Sequence, residues 1–445
     1  MSQLEFLRST VFPSRLDYLK RLDSVLTNWS NQSPENARRA QERIFGVENS
    51  IKALTGYEAG LQEQRLMATK QDEENRMKQY VASDPKRKAE FGDPWATVAQ
   101  AVQTYGQFFR PFRFIEEREG FPGDLNKFAR ILVRGAAQKQ LPNAQRLAVY
   151  RESALPSLEQ QLFSTAPLYK DMETVQFAAA LEYMQSKLGA DNPAVKKVIN
   201  DGRTPAEAAK YYIENTHLDN PALRKQLWEG GEKAIEASTD PLIVMMREIE
   251  PEAYGLRKRF DDQVEAPENS AGAKLAKILF AQEGTNTYPD ATFTLRLSFG
   301  IVAGYTENGQ GTVPAGTKLP YFTDMGGAFK HAADHNNQPP YNLPESWISA
   351  KPRLKLSTAL NVVETADIIG GNSGSPVVNK QGEVVGIIFD GNIQSLPWFF
   401  VYDDKIGRSI QVDTRGIIEA LHTIYHADRL VNELMGTTAK SATTQ

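Results

Sequence analysis

The chain contains 445 residues, of which 41% are hydrophobic and 24% are charged, and its formal net charge at pH 7 is -4. A chain of this length supports two or three globular domains, and its slight acidity argues against a nucleic-acid binder or a protein of membrane surfaces. It holds no cysteine, which excludes disulfides, thiolate chemistry and cysteine–zinc sites.

Residues 1–8 turn charged within a few positions and lack the apolar core of a signal peptide. No apolar run approaches the roughly 18 residues that cross a bilayer as a helix. We therefore expect either a cytoplasmic protein or one whose export signal is not in this sequence.

The first 285 residues show the periodicity of helices. Four positions combine an N-cap residue with a proline at the first helical position: Ser33-Pro34, Asp93-Pro94, Thr204-Pro205 and Asp240-Pro241. Glu207 completes a capping box with Thr204. Apolar residues three and four positions apart, such as Ile44, Val47 and Ile51, predict one buried face per helix. An aromatic cluster over residues 108–114 could line a groove, but a core at a helix junction is the favoured interpretation. Residues 1–285 are therefore predicted to form a large all-α domain.

The period changes near Asn286, where residues 293–301 alternate between apolar and polar and predict a strand with one buried face. Glycine, proline and asparagine dominate residues 306–344, which predicts a long irregular loop. Further strands are expected on both sides of Ser373 and at residues 399–402, and a closing helix is expected to begin at Asp413. The predicted fold class is α+β, with an antiparallel β unit over residues 286–445 after the helical domain.

A glycine-rich stretch at residues 370–376 reads Gly-Gly-Asn-Ser-Gly-Ser-Pro. This order resembles the nucleophile loop of chymotrypsin-like proteases, in which glycine lets backbone N–H groups face a developing oxyanion. Ser373 would then be the nucleophile, and the N–H groups of Gly371 and Ser373 would form the oxyanion hole. The alternative is a plain glycine turn between strands. The elbow of α/β-hydrolases does not fit, because Ser375 replaces its second glycine.

A serine nucleophile needs a base, usually a histidine oriented by an acid. The histidines are His217, His331, His335, His422 and His426. His331 and His335 lie in the predicted loop and could approach Ser373, but no orienting acid is evident. Two histidine pairs have a spacing of four that would suit a metal. No third ligand accompanies His422 and His426, and His331 and His335 lie in a glycine-rich segment that does not read as a helix, so no metal site is predicted. Either His331 is the base, or the base and the acid lie outside this sequence. The second interpretation is favoured, because nothing in residues 1–285 reads as the β-barrel that carries these residues in chymotrypsin-like chains.

Beyond the serine loop, the sequence resembles the bacterial serine dipeptidyl peptidases of the dipeptidyl-peptidase 7 and 11 type. The similar segments are residues 370–379, 386–392, 401–403, 408–410 and 412–415, with a less specific likeness at residues 12–16. The resemblance implies a chymotrypsin-type double barrel with a helical domain inserted between its halves. Residues 1–285 would be that substrate-covering insertion, and residues 286–445 the half-barrel that carries the serine. The half with histidine and aspartate would be missing.

The resemblance also implies release of dipeptides from peptide N-termini and a role for three further residues. Asp390 matches the aspartate that binds the α-ammonium group, and Asn49 is the candidate for a second amine contact. Gly391 stands where relatives that cut after acidic residues carry an arginine, which implies an open pocket for a hydrophobic or aromatic second residue. Asp367 has the spacing of a basic-residue selector in trypsin-like enzymes, but the resemblance favours the hydrophobic assignment.

As partners, the resemblance implies peptides with a free N-terminus and a second copy of the chain in a homodimer, and neither nucleic acid nor membrane. It implies no cofactor and a periplasmic or secreted location for a full-length member. The competing hypothesis is a non-catalytic helical scaffold, or a peptide-binding remnant that keeps the serine loop.

Overall fold

The structure is a computed structural model that describes residues 1–284 and 294–436. The described residues divide into two compact units. The helical unit comprises residues 1–58 and 67–284, and the β unit comprises residues 59–66 and 294–436. No helix in these ranges is both long enough and apolar enough to cross a membrane.

Helices account for most of the first 284 residues. They are α1 (Ser2–Phe6), α2 (Phe12–Ser30), α3 (Pro34–Gln62), α4 (Gln64–Ala82), α5 (Pro85–Phe91), α6 (Pro94–Pro111), α7 (Asp124–Lys139), α8 (Leu155–Leu162), α9 (Lys170–Leu188), α10 (Pro193–Val198), α11 (Pro205–Asn215), α12 (Pro221–Ala237), α13 (Pro241–Phe260) and α14 (Ala266–Glu283). The predicted starts are confirmed: the Asp93 side chain accepts a hydrogen bond from the Ala96 N–H, and Thr204 and Glu207 form the capping box.

The core of the helical unit lies mainly between α7, α9, α11 and α13. The aromatic cluster of residues 108–114 is buried, and the Phe112 ring stacks on Phe260 with 4.6 Å between ring centroids. The interpretation of this cluster as a core at a helix junction is therefore confirmed. The core also encloses charge, because Arg134 pairs with Glu116 at 2.6 Å and with Glu250 at 2.5 Å.

A buried carboxylate closes the N-terminus of α7. Glu173 on α9 accepts hydrogen bonds from the N–H groups of Asp124 at 2.9 Å and Leu125 at 3.4 Å. Gly123 permits this approach, because its φ is +88° and a Cβ atom there would lie 2.1 Å from a Glu173 oxygen. Burial raises the pKa of Glu173 to about 7, although the N–H groups of Asp124 and Leu125 oppose the rise.

We expect this carboxyl group to make folding stability depend on pH. A carboxyl whose pKa is higher in the folded protein than in the unfolded chain, where it is near 4.5, stabilises the fold only while it is protonated. Its contribution is complete below pH 4.5 and is lost as the pH rises through 7. The loss should be about 3 kcal/mol. Glu173→Gln should remove this fall in urea-unfolding free energy, whereas Glu182→Gln, an exposed control on the same helix, should keep it. Parallel pH profiles for wild type and Glu173→Gln would contradict the assignment.

The described part of the β unit contains seven strands, five of which form one antiparallel sheet and two of which pair separately. Its strands are β1 (Tyr305–Thr306), β2 (Lys318–Leu319), β3 (Phe322–Asp324), β4 (Ala359–Glu364), β5 (Pro376–Val378), β6 (Val384–Gly391) and β7 (Ser409–Asp413), and its helices are α15 (Met325–Asp334), α16 (Glu345–Ala350), α17 (Thr414–Glu419) and α18 (Asp428–Leu434). The sheet order is β3-β4-β7-β6-β5, and β1 pairs with β2 separately. The predicted turn between β5 and β6 is confirmed, with the Asn379 N–H donating to the Glu383 carbonyl at 3.0 Å.

The strand predicted for residues 293–301 is wrong over its described part, while Phe293 lies outside the described residues. Between residues 294 and 304, the described chain forms one isolated bridge, Val302 with Glu364, and no strand. Leu295 and Phe299 are 106% and 87% exposed. An alternating pattern becomes a half-buried strand only where a neighbouring strand and a covering layer exist. The segment meets the end of β4 only at residues 301–303, and its apolar side chains are left exposed among the described residues.

Two other predictions fail locally. The presumed irregular loop of residues 306–344 contains β2, β3 and α15, the last begun by Asp324, whose side chain accepts from the Gly327 N–H at 2.8 Å. The strand predicted at residues 399–402 does not form, because Phe399 ends a 3-10 helix over Ile393–Phe399, Phe400 is in a turn and residues 401–402 have no regular secondary structure. The predicted closing helix is confirmed as α17, whose cap is Asp413.

Candidate active site

The serine loop lies between β4 and β5 and has a well-defined turn. Gly371 and Gly374 have φ values of +106° and +88°, conformations that glycine adopts without strain. The Asn372 side chain accepts from the Ile369 N–H at 2.9 Å, and its carbonyl accepts from the Ser375 N–H at 3.0 Å. The alternation of glycine with short polar residues therefore builds a compact reversal that leaves the Ser373 side chain exposed.

Hydrogen bonds join this loop to the end of β6. The Gly374 N–H donates to the Ile388 carbonyl at 2.7 Å, and the Ile388 N–H donates to the Ser375 carbonyl at 3.0 Å. The Ser373 hydroxyl donates to the Phe389 carbonyl at 3.4 Å. The structure thus brings Ser373 beside the strand end that continues into residues 390 and 391.

The two N–H groups predicted to form an oxyanion hole differ from their neighbours in the described part of the loop. The neighbouring N–H groups of residues 369, 372, 374 and 375 all donate hydrogen bonds. Those of Gly371 and Ser373 donate none to any described residue of the β unit. Backbone N–H groups that are free to donate can stabilise a developing negative charge on oxygen where they converge on it, and this role of Gly371 and Ser373 stays a prediction.

No base reaches Ser373 within the described β unit. Its histidines are His331, His335, His422 and His426. None of them hydrogen-bonds to the Ser373 hydroxyl. The His331 and His335 rings pack on Tyr341, with centroids 5.1 Å and 3.7 Å from it, and His422 Nδ1 lies 2.5 Å from an oxygen of Asp428. The interpretation of His331 as the base gains no support, because His331 lies on α15 rather than in a loop that reaches the serine.

Among the residues that the structure describes, no three histidine, aspartate or glutamate side chains are grouped to hold an ion.

Asp390 and Gly391 end β6 just after a bulge. The register of β6 against β7 shifts between Ile388 and Asp390. The Asp390 carboxylate is exposed, and one of its oxygens accepts from the Gly391 N–H at 2.8 Å. A Cβ atom on Gly391 would lie 2.3 Å from the Ser395 hydroxyl oxygen, which itself donates to the Asn392 carbonyl. The space beside Gly391 is therefore already filled by Ser395.

Sequence reasoning missed the residues that hold this strand end in place. The Glu307 carboxylate is buried and accepts from the Gln394 amide at 2.7 Å and from three N–H groups of its own loop, those of residues 308, 309 and 311. Burial alone would raise the pKa of Glu307, but the N–H groups hold it below its usual value. Single charged residues in glycine-rich loops carry no periodic signal, so only the three-dimensional contacts reveal this support.

Arg408, the residue just before β7, also holds the end of β6 in place. Its guanidinium is buried and donates to the backbone carbonyls of residues 303, 304, 404 and 407. The backbone N–H of Arg408 donates to the side-chain oxygen of Asn392 at 2.8 Å. A buried cation that meets four carbonyl oxygens fixes the loops on both sides of the strand end that carries Asp390.

The two remaining candidates have different settings. Asn49 lies exposed on α3 in the helical unit. Asp367 precedes the serine loop, and its backbone carbonyl accepts from Arg296 at 3.2 Å and from Ser298 at 2.7 Å. The roles assigned to both residues stay predictions.

Comparisons with known proteins agree with one another. The peptidase S46 family model matches residues 1–436. The chain is 24% identical over 473 residues to the Asp/Glu-specific dipeptidyl-peptidase of Shewanella putrefaciens, an alignment that covers 97% of this chain and 62% of that relative. It is also 24% identical over 382 residues to dipeptidyl-peptidase 7 of Capnocytophaga gingivalis, with 79% of this chain and 49% of that relative covered.

The fold is similar to that of Porphyromonas endodontalis DPP11 crystallised with the dipeptide Arg-Glu. The TM-score is 0.71 at 16% identity, and the match covers 98% of this chain and 62% of that one. At this identity the likeness concerns the fold, and it confirms the predicted helical domain followed by an antiparallel β part. The chain spans less than two-thirds of the length of these relatives.

Proposed function

Because this chain belongs to the peptidase S46 family, we propose that it carries the nucleophile and the substrate-recognition residues of a serine dipeptidyl peptidase. One observation carries the proposal: beside the exposed Ser373 hydroxyl, the N–H groups of Gly371 and Ser373 donate no hydrogen bond to any described residue of the β unit, and the neighbouring strand end presents the exposed Asp390 carboxylate. A plain glycine turn has no need of either feature.

In this mechanism, the Ser373 hydroxyl attacks the carbonyl carbon of the second peptide bond of a substrate. The carbonyl oxygen becomes an oxyanion, which the N–H groups of Gly371 and Ser373 stabilise. A base takes the hydroxyl proton and then passes it to the leaving amine, so that the dipeptide stays as an ester on Ser373 until water releases it. We propose that this base and its orienting acid belong to a segment that matches the part of the relatives this chain does not cover.

Recognition of the substrate N-terminus makes the enzyme release dipeptides. The α-ammonium group of a peptide is a cation, and the exposed Asp390 carboxylate offers it a charge-assisted hydrogen bond. Asn49 is proposed to provide a second, uncharged contact. A fixed position for the ammonium group places the second peptide bond, and no later one, at the serine.

For specificity, we propose that the second residue of the substrate is hydrophobic or aromatic. Gly391 offers no cation to a substrate carboxylate, and the group that fills the space beside it is the neutral Ser395 hydroxyl. The name of one relative, Asp/Glu-specific dipeptidyl-peptidase, points to the opposite preference, whereas the name dipeptidyl-peptidase 7 states none. The homodimer and the periplasmic or secreted location implied by the family stay predictions.

A substrate panel tests class and specificity together. The chain, combined with a histidine- and aspartate-bearing half from a relative, would be assayed on fluorogenic dipeptides with leucine, phenylalanine, aspartate, glutamate or lysine in second place. We expect kcat/KM to be at least tenfold higher for leucine and phenylalanine, with no cleavage after N-acetylation. A preference for aspartate and glutamate would overturn the specificity and keep the class, and a preference for lysine would point to Asp367. Dipeptide binding without turnover would favour the non-catalytic peptide-binding alternative.

A further inference from the structure

A polar pocket lies within the helical unit, between α2, α3, α9 and the turn that precedes α7. Its volume is about 420 Å³. Five cationic side chains line it: Arg15, Arg43, Arg113, Arg118 and Lys127. Four acidic residues line it as well: Glu117, Glu119, Asp124 and Glu173. The partners of each group decide whether the charges of the pocket cancel.

The acidic side chains are mostly engaged. Glu117 and Glu119 both pair with Arg113, at 2.8 Å in the case of Glu117. The Glu173 carboxylate accepts hydrogen bonds from the N–H groups at the start of α7. Asp124 is the remaining acid, and its side chain is exposed and forms no ion pair with any described residue.

The cationic side chains are mostly not engaged. Arg43 hydrogen-bonds to the neutral amide of Gln176 at 3.3 Å, and Lys127 to that of Gln161 at 3.2 Å. Arg15 and Arg118 form no ion pair with any described residue, and Arg15 Nε is buried without a hydrogen-bond partner. The pocket therefore holds four cations that no carboxylate within it neutralises directly.

Arg118 also has an unusual backbone. Its φ is +63°, a left-handed conformation that a side chain other than glycine, asparagine or aspartate adopts at a cost. Residues held in such conformations concentrate at ligand-binding positions. Burial lowers the pKa of both Arg15 and Arg118, although Glu119 and Glu117 oppose the change at Arg15 and Asp124 opposes it at Arg118.

We propose that this pocket binds a small anion bearing carboxylate or phosphate groups, with Arg15 and Arg118 as its principal contacts and Arg43 and Lys127 at its rim. The planar guanidinium presents paired N–H donors that match two oxygens of a carboxylate or phosphate. A bound anion would supply the hydrogen-bond acceptor that Arg15 Nε lacks. The pocket is a binding site independent of the Ser373 chemistry, so it stands or falls separately from the proposed enzyme function.

Titration calorimetry on the full chain, in a buffer free of multivalent anions, would test the proposal with citrate and inorganic phosphate as probes. We expect at least one of them to bind at micromolar to low-millimolar concentration, and the two titrations distinguish a polycarboxylate ligand from a phosphate. Arg118→Gly should weaken this binding at least tenfold without lowering the melting temperature, because glycine suits the left-handed backbone. Arg15→Gln should also weaken it.

Arg38→Gln provides a matched control, because Arg38 is an exposed arginine of the same unit that already pairs with Glu35 at 2.7 Å. Its affinity for the probe should equal that of the wild type. The proposal would be overturned if neither probe bound at 10 mM, or if Arg118→Gly and Arg15→Gln bound as tightly as Arg38→Gln. A fall in melting temperature of Arg118→Gly with unchanged binding would also contradict it, since that result assigns Arg118 a structural role.

Discussion

Ser373→Ala will abolish covalent labelling of the chain by a fluorophosphonate probe and remove turnover of dipeptide substrates by the completed enzyme. The hydroxyl oxygen is the atom that forms the covalent bond, and loss of the nucleophile in subtilisin lowers kcat by about 10⁶. The fold should not change, because the Ser373 side chain is exposed and its one described hydrogen bond is 3.4 Å long. Intact-protein mass spectrometry and a fluorescence assay measure the two effects.

Ser375→Ala is the matched control for that experiment. Ser375 belongs to the same loop, but its backbone rather than its side chain forms the described hydrogen bonds, to residues 372 and 388. Labelling should therefore persist in Ser375→Ala. Persistent labelling of Ser373→Ala would refute the nucleophile assignment, and absence of labelling in the wild type, even with the base-bearing half present, would favour the non-catalytic alternative.

Asp390→Asn should lower kcat/KM for peptides with a free N-terminus by roughly 10²- to 10³-fold, as expected if the bound peptide shields the pair of ammonium and carboxylate groups from water. Asparagine has the same size and keeps an oxygen that can accept from the Gly391 N–H, so the local backbone should be preserved. The loss therefore reports on charge. Initial rates on free-amine peptides measure it.

Asp404→Asn removes an exposed carboxylate of the same unit and should leave these rates unchanged. Any residual cleavage of N-acetylated peptides should be the same in wild type and Asp390→Asn, since neither can use the amine. If Asp390→Asn lost activity equally on both kinds of peptide, Asp390 would be a positioning residue rather than the ammonium partner.

The helical unit was largely predictable because its signals are local. An N-cap such as Thr204 and its partner Glu207 lie within one turn, so their hydrogen bonds follow from sequence spacing. The serine loop was predictable for the same reason, since its turn depends on glycines inside the loop. The site assignments for Ser373, Asp390 and Asn49 themselves stay predictions.

The failures concern partners far away in sequence. Alternation at residues 294–301 specifies a strand only together with a neighbour, and no periodicity in the segment itself reveals whether one is present. Spacing alone also could not show that His331 and His335 pack on Tyr341. The buried contact between Glu307 and Gln394 joins residues 87 positions apart, so no local pattern encodes it.

The close approach of Ser395 to Gly391 limits which side chains position 391 can carry. An arginine at position 391 would collide with the Ser395 hydroxyl, whose own hydrogen bond holds it in place. Any side chain at position 391 would therefore require Ser395 to move or to be replaced by a smaller residue. We therefore expect residues 391 and 395 to vary together rather than independently among related chains.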